Sequence, residues 1–147
     1  MWAVEPSEVG RRLAHARLDA SRVPVEFAGL DGQRLDLPDG RFDAALSSFT
    51  LCTIPDAAAA LREVARVLKS GGTLHFIEHG LSPHRRVARW QRRLNPIQQR
   101  LFAGCHVDRP IATMIENAGF VIERLQNSYL GRPKAAGYLY EGVATRP

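Results

Sequence analysis

Two apolar runs, Phe42 to Phe49 and Thr73 to Glu78, flank a stretch in which Ala60, Leu61, Val64, Val67 and Leu68 recur at helical spacing. Strand, helix and strand in that order constrain the chain to a parallel pair with a right-handed crossover. Asp56 stands where a helix N-cap is needed, and Gly71-Gly72 supplies a left-handed stop before the second run. Upstream, the apolar run Trp2 to Val4 is closed by Glu5-Pro6-Ser7, and Ser7 caps a helix through about residue 20 with Val9, Leu13, Ala16 and Ala20 on one face. Val23 to Phe27 then reads as a second strand, followed by a loop from Ala28 to Gly40.

Downstream the pattern changes. The helical stretch carrying Val87, Trp90, Leu94, Ile97 and Leu101 on one face is expected to break into two at Asn95-Pro96, because proline lacks the amide donor. Asp108 is the expected cap of a further helix with Pro110 in its first turn and Gly119 past its end. Phe120 to Leu125 and Gly137 to Thr145 read as final strands joined by Gly131-Arg132-Pro133, close enough in sequence to pair antiparallel. The expected fold is α/β: a Rossmann-like, doubly wound, mostly parallel sheet with helices on both faces and an antiparallel C-terminal strand, in one domain spanning 1–147.

Charge is concentrated in one place. Arg85, Arg86, Arg89, Arg92, Arg93 and Arg100 outnumber the net charge of +5, so the basicity belongs to a single helical stretch. Such a face is either solvated over a packed helix or rests on an anionic membrane surface. Nucleic acid is not expected as a partner, since no stacking aromatics or known module accompany the arginines. No apolar run nears the ~20 residues of a membrane span, and signal-peptide zones are missing from the first residues, so a cytoplasmic location is expected. Cys52 and Cys105 lack paired metal-ligand spacing and are expected to be reduced thiols, with no metal.

In open α/β sheets ligands bind beyond the carboxyl ends of strands, which directs attention to Glu5, Asp31-Gly32, Ser47-Ser48 and Glu78-His79. An acidic residue at a strand end accepts hydrogen bonds from ribose hydroxyls, a role Glu5 fits; it equally fits a carboxylate at a helix start. Asp31-Gly32 is either an adenine-edge contact or a plain turn. His79, whose unperturbed pKa is near ~6.5, is the general-base candidate for an acceptor that holds its proton; it also reads as an ordinary strand-end histidine.

The run from Asp31 through Leu37 to Asp43, then Leu51 to Ile54, and Leu61-Arg62-Glu63-Val64 through Arg66-Val67-Leu68 to Gly71-Gly72 resembles the class I S-adenosylmethionine-dependent methyltransferases, specifically the type 11 domain of ubiquinone and menaquinone biosynthesis. Phe76 to His79, Trp90-Gln91, Leu94-Asn95-Pro96 and Gly104-Cys105-His106 with Arg109 are similar to membrane-associated thiol methyltransferases. The resemblance implies S-adenosylmethionine as cofactor, with Glu5 and Pro6 at the ribose, Asp31, Gly32 and Gln33 at the adenine, and Ser47-Ser48 beside the methionine. It places Phe49, Glu78 and His79 at a small, apolar acceptor; His106 and Cys105 either line the same pocket or form a structural pair in a turn. The family's first strand and glycine-rich loop have no counterpart before Trp2, so the resemblance implies a fold truncated at its start, whose open edge a second copy could fill. The alternative is a non-catalytic remnant that pairs through an exposed sheet edge.

Overall fold

The computed structural model describes residues 1–29, 31–102, 104–131, 134 and 137–147. The chain order is β1 (Trp2–Ala3), α1 (Glu8–Asp19), β2 (Glu26–Phe27), β3 (Phe42–Ser48), α2 (Ala57–Val67), β4 (Leu68–His79), α3 (Arg85–Leu101), α4 (Ile111–Asn117), β5 (Val121–Tyr129) and β6 (Tyr138–Thr145). The strands form two sheets: β1 pairs in parallel with β2, and a four-stranded sheet runs β3-β4-β6-β5. Within the larger sheet β3 and β4 are parallel, whereas β6 is antiparallel to both β4 and β5. The architecture is mixed α/β and Rossmann-like, with its antiparallel strand last in sequence.

Capping sets several boundaries as the sequence predicts. Ser7 accepts from the Gly10 amide at the start of α1, and Asp56 accepts from Ala59 at the start of α2. Gly119, at φ 92°, ends α4 in the left-handed region that glycine tolerates. Elsewhere the structure departs from the expectation. β2 is two residues long rather than five, because Pro24 has no amide to donate to a ladder. α2 stops at Val67 and Leu68 is already extended, so Gly71-Gly72 does not terminate the helix. Instead Gly71, at φ 77°, makes a turn between Leu68, which pairs with Phe42, and Thr73, which pairs with Ala44.

α3 runs unbroken through Pro96, because one missing donor is outweighed by the anchoring of the turns around it. Gln91 Nε2 donates to the Gly80 carbonyl and Gln91 Oε1 accepts from the Ser82 amide, fixing α3 to the loop after β4. Asp108 does not cap α4, which begins after Pro110 without a side-chain cap. Arg132 and Pro133 of the expected last turn lie outside the described residues.

The core lies between the larger sheet and the helices α2 and α4. Leu61, Leu68, Leu74, Ile111 and Ile115 are essentially inaccessible there, with Phe76, Phe120 and Ala144 beside them. Each such side chain contributes roughly 1.5–3 kcal/mol relative to exposure. The remaining apolar faces are not covered in this way. Leu46, in the middle of β3, is 77% exposed. On α1, Val9 and Leu13 are exposed, and on α3 the apolar row Trp90, Leu94, Ile97 and Leu101 faces outward while Ala88, Gln91 and Asn95 face in. The sequence pattern had placed that apolar row against the core; the inward bonds of Gln91 turn the helix the other way.

Candidate functional site

The residues after β1, β2 and β3 are tied together at one end of the sheets. Glu5 Oε1 accepts from the Ser7 amide, and its carboxylate lies over Gly10, where an added Cβ would meet it at 2.8 Å. Glu5 thus sits on the N-terminal turn of α1, where the helix dipole favours an anion. Pro6 is exposed beside it. Asp31 closes a turn by accepting from both the backbone and the side-chain amide of Gln33, which holds its carboxyl below the usual range. Gly32 packs beside Val4 and Ile54, where a Cβ would approach Ile54 at 3.2 Å. Gln33 Oε1 accepts from the Asp56 amide at the start of α2. The Asp31-Gly32-Gln33 turn therefore meets the tip of β1 and the loop after β3.

That loop, residues 49–56, is held from two sides. Glu78, inaccessible at the end of β4, accepts from Ser47 Oγ at 2.7 Å, the Thr50 amide at 3.0 Å and the Cys52 amide at 3.1 Å. Ser47 and Glu78 are thus engaged with each other and with loop backbone, while Ser48 is exposed at the tip of β3. The Arg109 guanidinium donates to the carbonyls of Leu51, Ile54 and Pro55. Phe49, at φ 50°, is a non-glycine residue in the left-handed region, a strained position of the kind that clusters at ligand sites. Its ring lies 4.9 Å from that of His79.

Behind Phe49 the fold gathers groups far apart in sequence. His79 Nδ1 lies 3.5 Å from Cys105 Sγ. The neighbouring Cys105 thiol raises Cys52 strongly, aided by burial, and Cys52 in turn lowers Cys105. The His106 amide donates to the Cys52 carbonyl, and His106 Nδ1 pairs with Gln99 Nε2 at 3.0 Å. Burial, with the nearby Arg109 charge, holds His106 below the ordinary histidine range. Phe49, Glu78, His79 and His106, with Cys105 beside His106, are candidates from the sequence, whereas Cys52 and Arg109 are not. Only their positions just after β3 and before α4 hinted at them.

Strands and helices alternating through a Rossmann-like sheet, with acidic and amide groups beyond the strand ends, match the fold of the class I S-adenosylmethionine-dependent methyltransferases. The chain belongs to that family: residues 1–76 match the methyltransferase domain. It is 39% identical over 85 residues to the thiol S-methyltransferase TMT1B of Rattus norvegicus, covering 57% of this chain and 35% of that protein. It is 34% identical over 107 residues to the human thiol S-methyltransferase TMT1A, covering 68% of this chain and 44% of that protein. The chain thus spans less than half the length of these relatives. Among solved structures, an S-adenosylmethionine-dependent methyltransferase of Methanosarcina mazei superposes over 99% of this chain and 81% of that one, with TM-score 0.74 at 20% identity. At that identity the likeness concerns the fold.

Proposed function

We propose that the chain binds S-adenosylmethionine and transfers its methyl group to a small, apolar nucleophile. The observation that carries the reading is the meeting of the Asp31-Gly32-Gln33 turn with Val4 and with the loop that leads to Phe49. In this reading Glu5 and Pro6 face the ribose, Asp31 and Gly32 read the adenine, Gln33 steadies their turn, and Ser47-Ser48 flank the methionine. Phe49 and His79 meet the acceptor's nucleophilic atom, with His106 lining the same end and Glu78 holding the loop in place. Methyl transfer from a sulfonium is an in-line displacement with a neutral leaving group, so alignment matters more than acid chemistry. A thiol fits the acceptor position, supported by the two thiol S-methyltransferase relatives. Titration calorimetry with S-adenosylhomocysteine tests the reading: saturable heat is expected, and none at millimolar ligand overturns it.

The outward row Trp90, Leu94, Ile97 and Leu101, bordered by arginines, favours docking of α3 on an anionic bilayer surface close to the acceptor entrance. No helix among the described residues is long and apolar enough to cross a membrane. One observation favours a second reading, a non-catalytic domain that pairs through its sheet edge, as a homodimer would. Among the described residues no ladder joins β1 to β3, and Leu46 stands exposed beside that edge. Sedimentation separates the two: a monomer that binds the cofactor product excludes the pairing domain.

A further inference from the structure

Cys52 from the loop after β3, His79 from the tip of β4 and Cys105 from the link between α3 and α4 point their ligand atoms into one space. The two sulfurs and a ring nitrogen all lie within 4.8 Å of one another. For Zn–S of about 2.3 Å and Zn–N of about 2.0–2.1 Å, a tetrahedron has an S···N edge of roughly 3.6 Å. The observed separation of His79 Nδ1 and Cys105 Sγ is 3.5 Å. Both cysteines are buried, so the thiols are shielded from bulk solvent. Cys52 is fixed on both sides of its α-carbon, its amide donating to Glu78 and its carbonyl accepting from His106. Such backbone anchoring preorganises a ligand before any metal arrives.

We propose that Cys52, His79 and Cys105 bind a zinc ion, and that its fourth coordination position takes the thiolate of the methyl acceptor. Among the described residues the group has three members, which is the number a catalytic zinc uses, whereas structural zinc takes four. The half-exposed member is His79, with the exposed Phe49 against its ring, so the cluster opens toward the acceptor end. The second half of the proposal rests on the methyltransferase reading above. A thiol that coordinates zinc gives its proton to solvent. The bound sulfur then attacks the methyl carbon of S-adenosylmethionine: the new S–C bond forms as the old C–S⁺ bond breaks, and that bond's electron pair returns to the cofactor sulfur. A neutral thioether and S-adenosylhomocysteine result, and the metal changes no oxidation state. His79 is then a ligand rather than a base.

The test is metal content of the full chain purified under reducing conditions, followed by titration of the stripped protein with Zn²⁺ and with Co²⁺. One equivalent of metal is expected, with the cobalt form showing tetrahedral d–d bands and a sulfur-to-cobalt charge-transfer band. Cys52→Ser, Cys105→Ser and His79→Gln should each lose stoichiometric metal while still binding S-adenosylhomocysteine. Absence of metal uptake, octahedral cobalt spectra, or a Cys52–Cys105 disulfide in the reduced preparation overturns the site. If metal binds but S-adenosylhomocysteine does not, the site stands and the acceptor-activating role falls with the methyltransferase reading. If both bind, addition of a small thiol should perturb the cobalt bands; unchanged bands overturn the fourth-position assignment.

Discussion

Replacing Glu78 by glutamine probes a side chain that holds the loop of residues 49–56 against β4. Both carboxylate oxygens accept: Oε1 from Ser47 Oγ and the Thr50 amide, Oε2 from the Cys52 amide. A glutamine can accept on one side only, and its NH₂ must then face either the Thr50 or the Cys52 amide. Ser47 can rotate its hydroxyl to accept, but a backbone amide cannot. One buried donor is left unpaired, at a cost of about 1–3 kcal/mol. For a domain of this size each kcal/mol lowers Tm by about 2–4 °C, so Glu78→Gln should melt roughly 2–12 °C lower. Circular dichroism melts at pH 7 measure it, with Ser47→Ala as a milder companion. A shift equivalent to under about 0.5 kcal/mol, the size of an ordinary surface change, would refute the latch.

Glu63 gives an acid-side prediction. Hydrogen bonding from Arg66 lowers its pKa from an ordinary 4.5 to about 2, and the Leu35 amide adds to this. A depressed carboxylate stabilises the fold above about 4.5 and loses that contribution as pH falls toward 2. Urea midpoints measured across that range should therefore fall less steeply for Glu63→Gln than for the parent chain; parallel curves would contradict the assignment. At Phe49, glycine removes left-handed strain of about 1–2 kcal/mol but also the ring against His79. Phe49→Gly should leave the melting temperature nearly unchanged and raise the acceptor KM, and an unchanged KM counts against an acceptor-side role. For α3, sedimentation with phosphatidylserine vesicles should exceed that with phosphatidylcholine vesicles and weaken with salt. Trp90→Glu should abolish it; binding indifferent to lipid charge would contradict docking through this face.

The elements legible in the sequence were those whose signals are local. Ser7 and Asp56 announced their helices because a side-chain oxygen at an N-cap needs only its own next three residues. Gly119 announced the end of α4 for the same reason. Misreadings arose where distant partners decide. Gly71-Gly72 resembled a helix stop, yet the pairing of Leu68 with Phe42 had already drawn the chain into the sheet. The apolar row of α3 pointed toward a core, yet the bonds of Gln91 to Gly80 and Ser82 set its rotation. In the site, the Asp31-Gly32 turn could be read from adjacent residues. The convergence of Cys52, His79 and Cys105 could not, because separations of 27 and 26 residues carry no periodic signal and only the folded sheet brings them together.

A crystal structure of the chain soaked or grown with S-adenosylhomocysteine tests the central claim most directly. The account predicts adenosine density between the Glu5 carboxylate and the Asp31-Gly32-Gln33 turn, with the cofactor sulfur directed toward Phe49 and His79. Ligand density anywhere else on the molecule, or a protein that never takes up the ligand at saturating concentration, would contradict it.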